Sequence, residues 1–279
     1  MEEDGKKLIF LDIDGTLTEP GSNRPPESAL EAVKRAREKG HKVFLCSGRN
    51  YGMLSPVLAF GFDGAVASSG GHIRCGGQVI YDCPMTERQR RQALDLLKEN
   101  GIFRTVECLD CSYTDEGFKE FLRQNAGQGG NSELLRWREQ IESSLGIRPM
   151  REYQGQPVYK IVMMGRDLGQ FAEPKRVLGE EFAFCIQEAD SFGIINGELV
   201  NRQFDKGKGV EAVCRHLGVS VKDTIAFGDS MNDLEMLEAA AFGVCMENGS
   251  QALKETADWV CPGVSEDGLY LGFQKLGVL

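Results

Sequence analysis

Along the chain, short unbroken apolar runs alternate with stretches whose apolar residues recur every three or four positions. Leu8-Ile9-Phe10-Leu11, Val43-Phe44-Leu45-Cys46 and the run 64–68 each fit a strand buried on both faces. After Pro25-Pro26, Leu30, Val33 and Ala36 keep helical spacing, and Gly40 ends the helix. Residues 72–82 read as a hairpin turning at Gly76-Gly77. From about residue 200 the alternation returns. Helices are expected at 206–218, 232–240, 250–257 and 266–276, with strands at 224–229, 242–246 and 259–261. Strand–helix repetition predicts an α/β, Rossmann-like core with a parallel sheet covered on both faces.

The middle of the chain has another rhythm. Thr86 and Gln89 have capping-box spacing ahead of Ala93, Leu94 and Leu97, and Gly101 closes that helix. Strands are expected at 102–108, 158–164 and 182–187, and helices around 118–122 and 134–145. This mix predicts an inserted α+β module over residues 85–199, between core segments 1–84 and 200–279.

Composition narrows the class. The 279 residues carry 32 Lys+Arg against 42 Asp+Glu, a formal charge of −10, so nucleic acid and anionic membrane are not expected partners. No apolar run is long enough for a membrane span, and the acidic start lacks a signal core, so a soluble cytoplasmic protein is expected. The nine cysteines are scattered and odd in number; Cys108 and Cys111 form a lone Cys-x-x-Cys, for which ordinary thiols are expected rather than zinc.

The chemistry lies where the strands end. In a parallel α/β sheet, ligands sit outside the carboxyl ends of the strands. There the sequence puts Asp12 and Asp14, Ser47, Asp229 and, four residues on, Asp233; Lys206 opens a helix. The carboxylates are hard oxygen ligands that suit Mg²⁺, which would relieve their mutual repulsion. Lys206, the Ser47 hydroxyl and backbone N–H groups near Gly15 and Gly48 suit phosphate oxygens. Taken singly, each has an ordinary use: Asp14 in a turn, Ser47 as a helix N-cap, Lys206 as a surface charge, Asp233 at a helix N-terminus.

Together they carry a resemblance. "DIDGT" (12–16), Ser47 in "LCSGR", Lys206 in "DKGKG" and "GDSMND" (228–233) match, in order, the four motifs of haloacid dehalogenase superfamily phosphatases. The chain resembles the Cof-like branch, with a type IIB cap between the second and third motifs. The core match spans roughly 7–84 and 200–279. Two places depart from the usual wording: Ser69-Gly70-Gly71 stands for Asn-Gly-Ala, and Met246-Glu247-Asn248-Gly249 for Met-Gly-Asn-Ala.

The resemblance implies a mechanism. Asp12 attacks phosphorus and forms an aspartyl-phosphate. Asp14 protonates the leaving oxygen and then activates water. Mg²⁺ lies between Asp12, the Asp14 carbonyl and Asp229, with Asp233 bound directly or through water. Gly15, Ser47, Gly48, Lys206 and Asn232 hold the phosphate. An acid at Asp14 points to a phosphatase or phosphomutase, because an alkoxide leaving group needs a proton. The leading expectation is a Mg²⁺-dependent phosphatase of small phosphorylated metabolites, such as sugar phosphates or phosphorylated cofactors. A phosphomutase of the phosphomannomutase type and a non-catalytic metabolite-binding regulator are the alternatives. The intact acids and Lys206 argue against the regulator. In the cap, Arg88, Arg90 and Arg91 are expected on a solvated helix face, and Lys160 is a pocket candidate.

Overall fold

The computed structural model describes residues 5–117, 146–186 and 194–279. The helices expected around 118–122 and 134–145 lie outside these residues. The chain divides into two compact units, one of Met1–Asp82 with Phe204–Leu279 and one of Cys83–Gln203.

The first unit is built on an eight-stranded sheet. It comprises β1 (Leu8–Leu11), β2 (Lys42–Cys46), β3 (Gly64–Ala67), β4 (His72–Cys75), β5 (Gln78–Asp82), β12 (Thr224–Gly228), β13 (Phe242–Met246) and β14 (Trp259–Cys261), in the order β14-β13-β12-β1-β2-β3-β4-β5. The six strands from β14 to β3 are parallel; β4 and β5 add an antiparallel edge. The apolar runs are unbroken because both faces are covered. Ile9, Leu11, Val43, Leu45, Ile225 and Phe227 pack against α1 (Glu27–Glu38), α2 (Tyr51–Leu58) and α8 (Gly268–Lys275). The alternate residues Leu8, Phe10, Phe44, Cys46 and Ala226 pack against α5 (Lys206–Leu217), α6 (Leu234–Ala239) and α7 (Gln251–Thr256). The α/β, parallel-sheet reading is therefore correct.

Register positions the site. Leu11 lies opposite both Leu45 and Phe227, so β2 and β12 finish level with one another, one residue past the end of β1. Asp12, Ser47 and Asp229 are the residues immediately after those three strands and share one sheet edge.

The second unit holds a six-stranded sheet in the order β10-β11-β9-β6-β7-β8. Its strands are β6 (Phe103–Cys108), β7 (Ser112–Thr114), β8 (Ile147–Pro149), β9 (Val158–Gly165), β10 (Phe182–Ile186) and β11 (Ile195–Asn201). One face, with Val106, Ile161, Met163 and Leu199, is packed with Ala93 and Leu97 of α3 (Glu87–Glu99) and Leu178 of α4 (Ala172–Leu178). Thr86 caps α3, and the Gln89 side chain completes the capping box. Arg88 pairs with Glu181 at 2.7 Å and Arg91 is exposed, but Arg90 donates to the Gly155 carbonyl and lies over the Tyr153 ring. Lys160 is fully buried, paired with Glu107 and Glu198. Cys108 and Cys111 face each other across the turn Leu109-Asp110, with no disulfide between them.

Phe227 packs against Phe273 in a tilted pair with ring centroids 5.4 Å apart, and its carbonyl accepts from the Asp12 N–H. Phe227→Ala should cost about 3–5 kcal/mol, the usual range for a fully buried Phe. Urea unfolding of the purified variant checks this; a loss below about 1 kcal/mol would mean that β12 does not depend on this packing.

Candidate active site

Asp12 follows β1 and is 5% exposed. Its Oδ1 accepts from Lys206 Nζ at 2.7 Å. The same ammonium donates to Asp233 Oδ1 at 2.5 Å and to Asn232 Oδ1 at 3.3 Å. Lys206 is only 1% exposed, so it is no surface charge. It opens α5, whose N-cap is Asp205, the acceptor for the Lys208 N–H. Burial alone would lower the lysine's pKa, but Asp12 and Asp233 outweigh it and push the ammonium up.

Asp233 is fully buried. Its Oδ2 accepts from the Asp229 and Ser230 N–H groups at 3.0 and 3.2 Å, closing the turn in front of α6. It caps a helix start and holds a lysine at once. Asp229, 8% exposed, lies beside Gly15. A Cβ on Gly15 would come within 2.4 Å of Asp229 Oδ2, and Gly15 has φ of +85°, so glycine is required there on two counts. Thr16 Oγ1 donates to Asp229 Oδ1 at 3.4 Å.

Ser47 is not a helix N-cap; Asn50 takes that role, accepting from the Met53 N–H. Ser47 Oγ instead accepts from the Arg49 N–H at 3.2 Å, across buried Gly48. Asp14 does sit in a turn, with its carboxylate bound by Arg49: Nε to Oδ2 at 2.8 Å and Nη2 to Oδ1 at 2.6 Å.

Asp12, Asp229 and Asp233 offer oxygens that all lie within 4.8 Å of one another. Burial, then repulsion from Asp233, pushes Asp12 up to about 7; burial, then repulsion from Asp12, pushes Asp229 up to about 8. Three carboxylates against the one ammonium of Lys206 leave two formal negative charges. A hard dication matches that residue of charge and that donor set, so the residues fit Mg²⁺. The Asp14 carboxylate is not in this group; its partner is Arg49.

Sequence reasoning passed over two residues. Arg49 was visible only as the end of "LCSGR", with nothing local to tie it to Asp14. Asn248 donates to the Gly15 carbonyl at 2.7 Å and accepts from the Val264 N–H. It was visible only as part of a departure from the family's wording.

The chain is similar to known proteins over most of its length. The model of the haloacid dehalogenase-like hydrolases matches residues 9–272. The pyridoxal phosphate phosphatase YbhA of Escherichia coli (strain K12) is 27% identical, covering 94% of this chain and 96% of its own. The 5-amino-6-(5-phospho-D-ribitylamino)uracil phosphatase YwtE of Bacillus subtilis (strain 168) is 26% identical, covering 94% and 95%. A solved haloacid dehalogenase-like hydrolase from B. subtilis superposes with a TM-score of 0.79 at 22% identity over 97% of this chain and 99% of that one. No helix among the described residues is long and apolar enough to cross a membrane. With that family match over residues 9–272, the chain belongs to the haloacid dehalogenase-like hydrolase family.

Proposed function

We propose that the protein is a Mg²⁺-dependent phosphatase that hydrolyses small phosphorylated metabolites through an aspartyl-phosphate. The observation that carries this is the buried cluster of Asp12, Asp229 and Asp233 around one ammonium, with a separately held carboxylate, Asp14, two residues from the nucleophile. Relatives named for pyridoxal phosphate and a phosphoribityl compound support a phosphate monoester as substrate.

In the first step an Asp12 carboxylate oxygen bonds to phosphorus as the ester P–O bond breaks. Asp14 gives its proton to the departing oxygen. In the second step Asp14 takes a proton from water, whose oxygen displaces Asp12 and yields inorganic phosphate. Lys206 lies beside Asp12, and Asn232 lies beside Lys206; both hold phosphoryl oxygens. Ser47 accepts the Arg49 N–H and keeps its own O–H to donate. The backbone at Gly48 would complete the seat; the Gly15 N–H, expected there from the sequence, instead donates to the Thr18 carbonyl at 2.8 Å. Mg²⁺, held by Asp12, Asp229, the Asp14 carbonyl and Asp233, directly or through water, would supply positive charge against the phosphoryl oxygens.

The direct test is phosphate release from a metabolite panel, with and without Mg²⁺. Activity is expected only with the metal; full turnover in excess chelator would overturn the metal reading. Asp12→Asn should fold and lose at least about a hundredfold in turnover, since the amide keeps the shape but is a poor nucleophile.

The metal-free protein should also have a pH signature in its stability. Asp12 and Asp229 are raised to about 7 and about 8, against 3.8 as the ordinary value. Between about pH 4 and pH 8 the folded chain therefore binds more protons than the unfolded one, and stability falls as pH rises. In chelator, Tm should be lower at about pH 8 than at about pH 5, and Mg²⁺ should raise it more at the higher pH, where it need not displace protons. A Tm rise on adding Mg²⁺ that is no larger at the higher pH would contradict this.

A further inference from the structure

We propose that Arg49 is a positioning residue that aims Asp14 at the leaving-group oxygen. The proposal rests on the reading of Asp14 as the proton donor. Arg49 is 2% exposed, and its guanidinium is spent on the turn that follows the nucleophile. Nε and Nη2 take both Asp14 oxygens, Nη1 donates to Asn23 Oδ1 at 2.6 Å, and Nη2 also reaches the Ser22 carbonyl at 3.2 Å. The Gly21 N–H donates to Asp14 Oδ1 at 3.0 Å.

Three features make this more than a structural ion pair. First, a bidentate guanidinium fixes the plane of a carboxylate as well as its place, which a lysine's point charge does not. A proton donor must be held to within about 0.5 Å and 10–20° of its productive pose, so the plane matters. Second, the Arg49 backbone is itself pinned. Its N–H donates to Ser47 Oγ at 3.2 Å and its carbonyl accepts from the Ser68 N–H at 2.8 Å. The proton donor and the proposed phosphate-holding hydroxyl thus form one braced piece. Third, Asp14 adds to the repulsion that raises both Asp12 and Asp229, and Arg49 is the cation paired with that carboxylate.

The test separates aim from architecture by the leaving group. Wild type, Arg49→Met, Arg49→Lys and Asp14→Asn would be compared in single-turnover release of the phenol from aryl phosphates running from 4-nitrophenyl to phenyl. This readout reports the first bond cleavage alone. A good leaving group needs little proton donation and a poor one needs much. For Asp14→Asn the loss should grow steeply along the series. For Arg49→Met it should grow in the same direction, about tenfold or more between the ends, with KM nearly unchanged and Arg49→Lys between Met and wild type. Melting curves show whether each variant is folded. If Arg49→Met is not, Asn23→Ala, which removes only the acceptor on the far side of the guanidinium, reads the same slope more weakly. A loss from the position-49 or position-23 variants that is uniform along the series, or confined to KM, overturns the role of Arg49 while a steep Asp14→Asn leaves the mechanism standing. A flat Asp14→Asn overturns the reading of Asp14 itself, and the Arg49 proposal with it.

Discussion

The ammonium of Lys206, buried between Asp12 and Asp233 at 2.7 and 2.5 Å, is the contact on which the site depends. Removing a charge from water costs several kcal/mol even after relaxation, and three neighbouring carboxylates multiply that cost. With Lys206 in place the cluster is short by two charges, a deficit one dication would make good. The fold guards this lysine. Asp205 caps its helix, and Gly70, with φ of +105°, runs so close that a Cβ there would lie 2.3 Å from the Asp205 carbonyl oxygen. The Ser68–Gly70 turn thus braces the lysine's helix and, through Ser68 and Ser69, the loop of Ser47 and Arg49.

The core was legible because both faces of its sheet are covered. Runs such as Leu8–Leu11 have no polar interruption, and the helices between them are bounded by Gly40 and Gly218, both in left-handed backbone. The inserted unit was less so. β11, Ile195–Asn201, has a glycine and a glutamate at its centre, yet it pairs on both sides. Its strand character comes from its neighbours rather than from an apolar period. β7 and β8, three residues each, are too short to carry a period at all.

The site was legible as residue types at strand ends and not as partnerships. Asp12, Asp229, Asp233 and Lys206 stood out because acids and a lysine beside apolar runs are costly unless matched. Nothing local told that Asp14 would meet Arg49, 35 positions on, or that Asn248 would reach Gly15 across 233. Ser47 shows the value of context, since a serine before a helix taken alone reads as a cap and only the motifs together set that reading aside. Here Asn50, three residues later, is better placed for the bond.

The strand order also sets when the acidic cluster can exist. β1 is flanked by β2, a neighbour in sequence, and by β12, where Leu8 faces Thr224. A chain emerging from the ribosome can pair the first side early, but the second must wait until most of the protein has been made. Until then Asp12 lacks the backbone acceptor at Phe227, Asp229 and Asp233 have not arrived, and the loop of Asp12 stays wet. The high sequence separation slows folding. It also means that like charges are gathered only in the last steps, when the lysine that tempers them is already at hand.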